Sequence, residues 1–269
     1  MLNFICLGSG SSGNSYFLFT ETFGILIDAG IGIRALKKHF RNYGLSLEQI
    51  SAILITHDHA DHIKAVGNLA NERNIPVYAT PAVHEGILRN YCVSCKLKRE
   101  NVRHIEKNQV FTVGCFDIIP FEVPHDSLDN VGYSLTCEGI RFCLITDAGH
   151  ITEDIKAHIR EAHFLVLEAN HDEDMLAMGP YPAHLKERIR GERGHLCNKE
   201  AALALAENMS EKLKQIWLCH LSEENNHPEL ARKTFDSILR AHGILIGKDV
   251  RVDVLKRRIP SDIHKLQLS

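Results

Sequence analysis

The stretch His57-Asp58-His59-Ala60-Asp61-His62 packs three imidazoles and two carboxylates into six residues, directly after the apolar run Ala52-Ile53-Leu54-Ile55-Thr56. That run is short and β-branched, as a buried strand is, and a helical pattern follows from Ile63 to Arg73. The block therefore lies on a strand-to-helix loop. Such a loop aims His57 and His59 at one point and lets the next turn carry Asp61 and His62 toward a second. Neutral imidazole is the commonest zinc ligand, and carboxylates complete sites for harder divalent ions. A solvated polar loop seldom concentrates ligand chemistry so densely, so the fold must gather a metal site at a strand end.

At 269 residues with 44% hydrophobic content, the chain builds a sizeable core without disulfides. Its first residues, Met1-Leu2-Asn3-Phe4-Ile5-Cys6-Leu7, are strand-like and lack a basic region followed by a long apolar segment. No apolar run has the length of a membrane span. The eight cysteines are therefore expected as reduced thiols, and the cytoplasm as the address. Cys92-x-x-Cys95 has metal-like spacing but no second ligand pair, and is read as structural. A net charge of −3 gives no global basic field, although Lys186, Arg188, Arg190 and Arg193 form a local cluster.

Strand-like and helical segments alternate from end to end. Strands are expected near residues 2–7, 15–20, 24–28, 52–55, 76–79, 110–123, 131–137, 140–146, 163–168, 215–219 and 250–254. Helices are expected near 31–42, 62–73, 81–90, 151–160, 182–190, 198–208 and 227–242. Short turns such as Glu138-Gly139 make the middle of the chain hairpin-like, whereas both halves end in strand-helix units. The reading is a mixed α/β fold in a single domain over 1–269.

Further ligand chemistry recurs where strands end. His125 follows the run Ile118 to Pro124, Asp147 follows Phe142 to Thr146, and His220 follows Ile216 to Cys219. Asp28 follows Ile25-Leu26-Ile27 and, like Asp147, precedes Ala-Gly, so small residues leave room beside both carboxylates. Asp28 is read as a carboxylate that orients a ligand from behind.

This order of Asp28, HxHxDH, lone His, Thr-Asp-Ala-Gly and late His resembles the metallo-β-lactamase-fold hydrolase superfamily over residues 4 to 222. The resemblance implies a four-layer αββα sandwich with its site at one edge between two β-sheets. It also implies that His57, His59 and His125 hold one metal ion, Asp61, His62 and His220 a second, and that Asp147 bridges them. Two divalent ions are expected, zinc or manganese, with iron accommodated by the same ligands. A hydroxide bridging them makes the reaction class hydrolysis.

The substrate must be argued from what surrounds the metals. Gly8-Ser9-Gly10-Ser11-Ser12-Gly13-Asn14-Ser15 joins two strands with flexible amides and hydroxyls suited to phosphate oxygens, although a plain turn has the same composition. Glu168-Ala169-Asn170-His171-Asp172 and Gly194-His195-Leu196-Cys197-Asn198 place a histidine, His195, before a helix, a position from which it could contact a phosphate or protonate a leaving oxygen, although an exposed helix-capping loop has the same composition. Ser222 lies two residues past His220. With Gly-Pro-Tyr-Pro at 179–182, these segments resemble the YycJ/WalJ-like group of bacterial proteins over nearly the whole chain. The resemblance implies a metal-dependent 5′-to-3′ exonuclease acting on DNA ends and linked to DNA repair. On that reading Asp61 and His195 are catalytic, and Ser11, Ser12, Asn14, His195 and Ser222 contact substrate phosphate. One departure is Cys197, where the group's Gly-His-Leu-Ser-Asn motif has serine.

The rivals are an RNA-processing nuclease like RNase Z, a thioesterase of the glyoxalase II kind or a lactonase, and a metal-free binding module. An RNase Z-like long Gly/Pro-rich insertion is absent from this sequence. Carbonyl chemistry has no evident need for the Ser-rich loop or His195. No organic cofactor is called for, a two-iron oxidoreductase would need more carboxylate around the metals, and no membrane partner is expected.

Overall fold

The computed structural model describes residues 1–268. Strands β1 (Leu2–Gly8), β2 (Ser15–Phe19) and β3 (Gly24–Ile27) form an antiparallel meander. β4 (Ile50–Leu54), β5 (Val77–Ala79) and β6 (Val102–His104) extend it in parallel through helical crossovers. The second sheet repeats the plan. β7 (Phe111–Val113), β8 (Phe116–Glu122), β9 (Val131–Cys137) and β10 (Ile140–Ile145) are antiparallel, and β11 (Phe164–Glu168), β12 (Gln215–Cys219) and β13 (Arg251–Val254) run parallel beside β10. Finally β14 (His264–Leu266) returns to the first sheet and pairs with β1.

Side-chain alternation sets the layers. In β1, Phe4 and Cys6 enter the apolar space between the sheets, while Ile5 and Leu7 pack outward. Both faces are buried, which is why the strands read as nearly continuous apolar runs. Helices α1 (Ile33–Asn42), α2 (Ala60–Ile63), α3 (Val66–Arg73) and α4 (Pro81–Arg89) follow strands of the first sheet, and Leu36, Phe40, Leu69 and Ile87 build its outer core. On the second sheet, α5 (Glu153–Glu161), α8 (Asn198–Asn208) and α9 (Pro228–Ala241) contribute Ile155, Leu205 and Phe235. Two further helices, α6 (Glu173–Met178) and α7 (Ala183–Arg190), lie between β11 and β12 in sequence. The result is the expected αββα sandwich.

Some expected elements differ. The helix expected over 62–73 is two, because Ala65 leaves helical geometry and its amide donates to Ala29 O at 2.8 Å. The strand expected over 110–123 is a hairpin, turned at Gly114 with φ +62°. Strands β6 and β14 and helix α6 went unread: the strands are three residues long and polar, and α6 has only six residues. The Glu138-Gly139 turn does join β9 to β10, with φ positive at both residues as a two-residue hairpin turn requires.

Candidate metal centre

Strand ends assemble the site. Asp28 follows β3, His57 follows β4, His125 follows β8, Asp147 follows β10 and His220 follows β12. Three of these, Asp28, Asp147 and His220, have left-handed backbone, with φ of 60°, 54° and 53°. Non-glycine residues adopt that conformation at a cost, and it persists where surrounding structure enforces it, commonly at functional sites. Here it turns each side chain back across the sheet edge.

The glycines after both aspartates permit close approach. A Cβ on Gly30 would lie 1.5 Å from the Asp61 carbonyl oxygen, and one on Gly149 would lie 2.2 Å from the Glu192 carbonyl oxygen. The first contact lets Asn14 and Ala29 donate their amides to the Asp61 and His62 carbonyls at 2.7 Å each, pinning the HxHxDH loop to its neighbours.

The ring nitrogens share a common arrangement. Nδ1 of His62 donates to Asp28 at 2.7 Å, Nδ1 of His125 to the Gly194 carbonyl at 3.0 Å, and Nδ1 of His220 to Glu168 at 2.9 Å. The Thr56 hydroxyl donates to Asp28 and so accepts from Nδ1 of His57 at 3.0 Å. With the proton fixed on Nδ1, each ring turns the Nε2 lone pair inward, as metal-binding histidines do. Nε2 of His57 and of His220 is buried with no hydrogen-bond partner. Buried polar atoms are rarely left so, and these are the atoms a cation would satisfy.

Donor atoms within 4.8 Å of one another group as His57, His59 and His125; as Asp61, His62 and His220; and as His57, His62 and Asp147. Asp147 also lies 3.3 Å from Nε2 of His62 and 3.8 Å from Nε2 of His125, between the first two groups. All seven ligand positions read from the sequence thus converge, and the donor set suits divalent ions. Burial alone would raise the Asp147 pKa, but His220 and His62 hold it well below the usual carboxylate range. Burial alone would strip the proton from His220, but Asp147, Asp61 and Glu168 lift its pKa to about 10. Without a cation, protons on histidine balance the buried carboxylates.

Two residues went unread as part of the centre. Glu168 is fully buried at the end of β11, and its Oε1 accepts from His195 at 2.8 Å and from His220 at 2.9 Å. Its Oε2 accepts from the Ala148 and Leu196 amides at 2.7 and 3.3 Å. Burial would raise its pKa, yet His195 and His220 bring it down to about 2. Its place at a strand end, like that of Asp147, was the available signal. Thr56 braces Asp28 and His57 together, and its backbone carbonyl accepts from Val131 of the opposite sheet at 3.1 Å.

A cleft of about 180 Å³ beside the candidate ligand cluster is lined by Ser11, Tyr181, Arg188, His195, His220 and Ser222, among others. One expected phosphate contact, Asn14, is corrected, and a second, Ser12, lies apart from the cleft. Asn14 is fully buried, and its amide is committed to Gly10, Asp61 and His62. Ser12 is exposed, outside the cleft lining, and accepts from Arg258 at 3.4 Å. Of the basic cluster, Arg188 reaches the cleft and pairs with Asp126, whereas Lys186 bonds the Ala177 carbonyl at 2.8 Å. Cys197 takes over a serine's task, capping α8 by accepting from the Glu200 amide at 3.4 Å. Cys92 and Cys95 are free thiols, and Cys95 accepts from Asn71.

Residues 24–220 match the family model described as a beta-lactamase superfamily domain. The chain belongs to the beta-lactamase superfamily. Within this superfamily it is 35% identical over 98% of its length, and 98% of the relative's, to a Bacillus anthracis protein named exodeoxyribonuclease YycJ. It is 34% identical over 91% of each chain to exodeoxyribonuclease WalJ of Streptococcus pneumoniae, and it is a member of their family. The superfamily fold is matched over 97% of this chain and 99% of the other by zinc-bound PqqB from Methylobacterium extorquens, with a TM-score of 0.71 at 19% identity. No helix among the described residues is long and apolar enough to cross a membrane.

Proposed function

We propose that this protein is a metal-dependent phosphodiesterase that removes nucleotides from DNA ends in the 5′-to-3′ direction, in the cytoplasm. The observation that carries the reading is the junction of a seven-residue candidate ligand cluster with a cleft lined by hydroxyls and an arginine through His195 and His220, in a chain whose full-length relatives are named exodeoxyribonucleases.

His57, His59 and His125 would hold one divalent ion, and Asp61, His62 and His220 the other, with Asp147 between them. Zinc and manganese both suit these donors. Bound ions would supply Lewis-acid polarisation of the phosphoryl oxygens and an activated water near neutral pH. The chain's own groups do the rest. Ser11 and Ser222 bind phosphate oxygens by hydroxyl donation, and Arg188 adds a cation at the cleft edge. Glu168 fixes the His195 ring through Nδ1, and in the imidazolium form, whose charge the Glu168 carboxylate balances, the Nε2–H steadies the phosphate or passes to the departing 3′ oxygen, leaving a neutral ring.

The test is digestion of DNA and RNA oligonucleotides of one sequence by metal-loaded and chelator-treated protein, beside thioester and lactone substrates. Metal-dependent release of nucleotides from DNA supports the reading. Turnover of the thioester or lactone with DNA left intact overturns it.

A further inference from the structure

At the opposite end of the sheets from the metal-ligand cluster lies a larger cavity of about 620 Å³. It opens between β13 and β14, the edge strands of the two sheets on the same side of the sandwich. β12 connects the two places: Gln215 at its start lines the cavity, and His220 follows its end. At about 3.3 Å per residue, that separates cavity and centre by roughly 16 Å along the strand. None of the residues assigned to hydrolysis lines it.

Its walls carry four basic side chains against one carboxylate. Lys214, Lys248, Arg251 and Lys265 line it, and none makes an ion pair among the described residues. Asp249 is the one carboxylate in the lining, and its Oδ2 is occupied by the Leu245 amide at 2.7 Å. Trp217 is 1% exposed and contributes to the wall, with the His264 ring edge-on to it at 5.0 Å. Its Nε1–H is buried with no acceptor, the one unpartnered buried side-chain polar atom among the lining residues. Such a donor calls for an acceptor, and four cations around one cavity call for an anion. The volume lies within the range of small-ligand pockets.

We propose that this cavity binds a phosphate-bearing small ligand, free phosphate or a mononucleotide, whose oxygens meet the four cations and the Trp217 indole N–H. A carboxylate would bring fewer oxygens and less charge to the same donors. The site is independent of the nuclease reading.

Trp217 is the single tryptophan of the chain, so its fluorescence reports on the cavity directly. The metal-loaded protein is titrated with inorganic phosphate, with deoxyadenosine monophosphate and with a single-stranded oligodeoxynucleotide. The expected result is a saturable change with phosphate or the mononucleotide, weakened roughly tenfold or more in Lys248→Glu/Arg251→Glu, each a solvent-exposed position. A second variant, Lys265→Glu on the other edge strand, should weaken it as well. Equal affinity for both small ligands identifies phosphate itself as what is held, and preference for the mononucleotide extends the site to the nucleoside. No saturable change up to millimolar ligand overturns the proposal, as does a curve unchanged in both variants. A response to the oligodeoxynucleotide alone also overturns it and makes the cavity a strand groove.

Discussion

Oε1 of Glu168 lies 2.8 Å from Nδ1 of His195, and the same oxygen accepts from Nδ1 of His220 at 2.9 Å. One buried carboxylate thus sets the orientation of a histidine in the cleft and of a histidine in the ligand cluster. Glu168→Gln keeps the volume but turns an acceptor into a donor where four N–H groups converge. We expect metal affinity or turnover to fall about 10- to 100-fold, with stability lowered by about 2 kcal/mol. Metal content, kcat and the chemical denaturation midpoint of the variant check this together.

Asp28 serves the other side of the cluster. Asp28→Asn weakens acceptance from His62 and Thr56, so the ion held by Asp61, His62 and His220 should be released about 10- to 100-fold more readily. The ion held by His57, His59 and His125 should be less affected. Stepwise chelator competition separates the two, and equal loss of both ions would show that Asp28 does not act through His62.

Gly30 and Gly32 provide a matched pair. A Cβ on Gly30 collides with the Asp61 carbonyl, whereas one on Gly32 meets nothing within 4 Å. Gly30→Ala should destabilise the chain by about 2–3 kcal/mol and displace the HxHxDH loop. Gly32→Ala, at the N-cap of α1, should leave metal binding unchanged and cost at most about 1 kcal/mol. Thermal unfolding of the two variants side by side checks the contrast.

Metal binding should release protons. Burial acts to lower the His220 pKa, but Asp147, Asp61 and Glu168 raise it to about 10 in the metal-free chain. A pKa raised on folding means that protonated His220 stabilises the metal-free fold fully below about pH 6.5, and that this is lost as pH rises through about 10. A cation replaces that proton, so affinity rises with pH between those values. Calorimetric titrations with zinc in buffers of different ionisation enthalpy measure the released proton. Buffer-independent heats would count against it.

That the candidate ligands would come together was legible because their chemistry is local. HxHxDH occupies one loop, and His125, Asp147 and His220 each end a recognisable apolar run. Both Asp-Ala-Gly segments mark places where the chain passes close to another backbone, which a Cβ would block at Gly30 and Gly149. Glu168 was harder, because its partners are 20 to 52 residues away and a lone glutamate after a strand reads as a solvated charge. Asn14 misled for the same reason: its place in a Gly/Ser loop predicts an open amide, and only the packed structure commits it to Asp61 and His62. The short strands β6 and β14 follow from pairing with β5 and β1, which no window of sequence contains.

The most direct test is digestion of DNA labelled separately at its 5′ and 3′ ends by the manganese- or zinc-loaded protein. Release of the 5′ label as mononucleotide at the earliest times, with stepwise shortening of the 3′-labelled strand, is the expected result. Both should vanish with chelator and in Asp61→Ala. Intact DNA in the presence of metal-loaded protein, or shortening that starts from the 3′ end, would contradict the assignment.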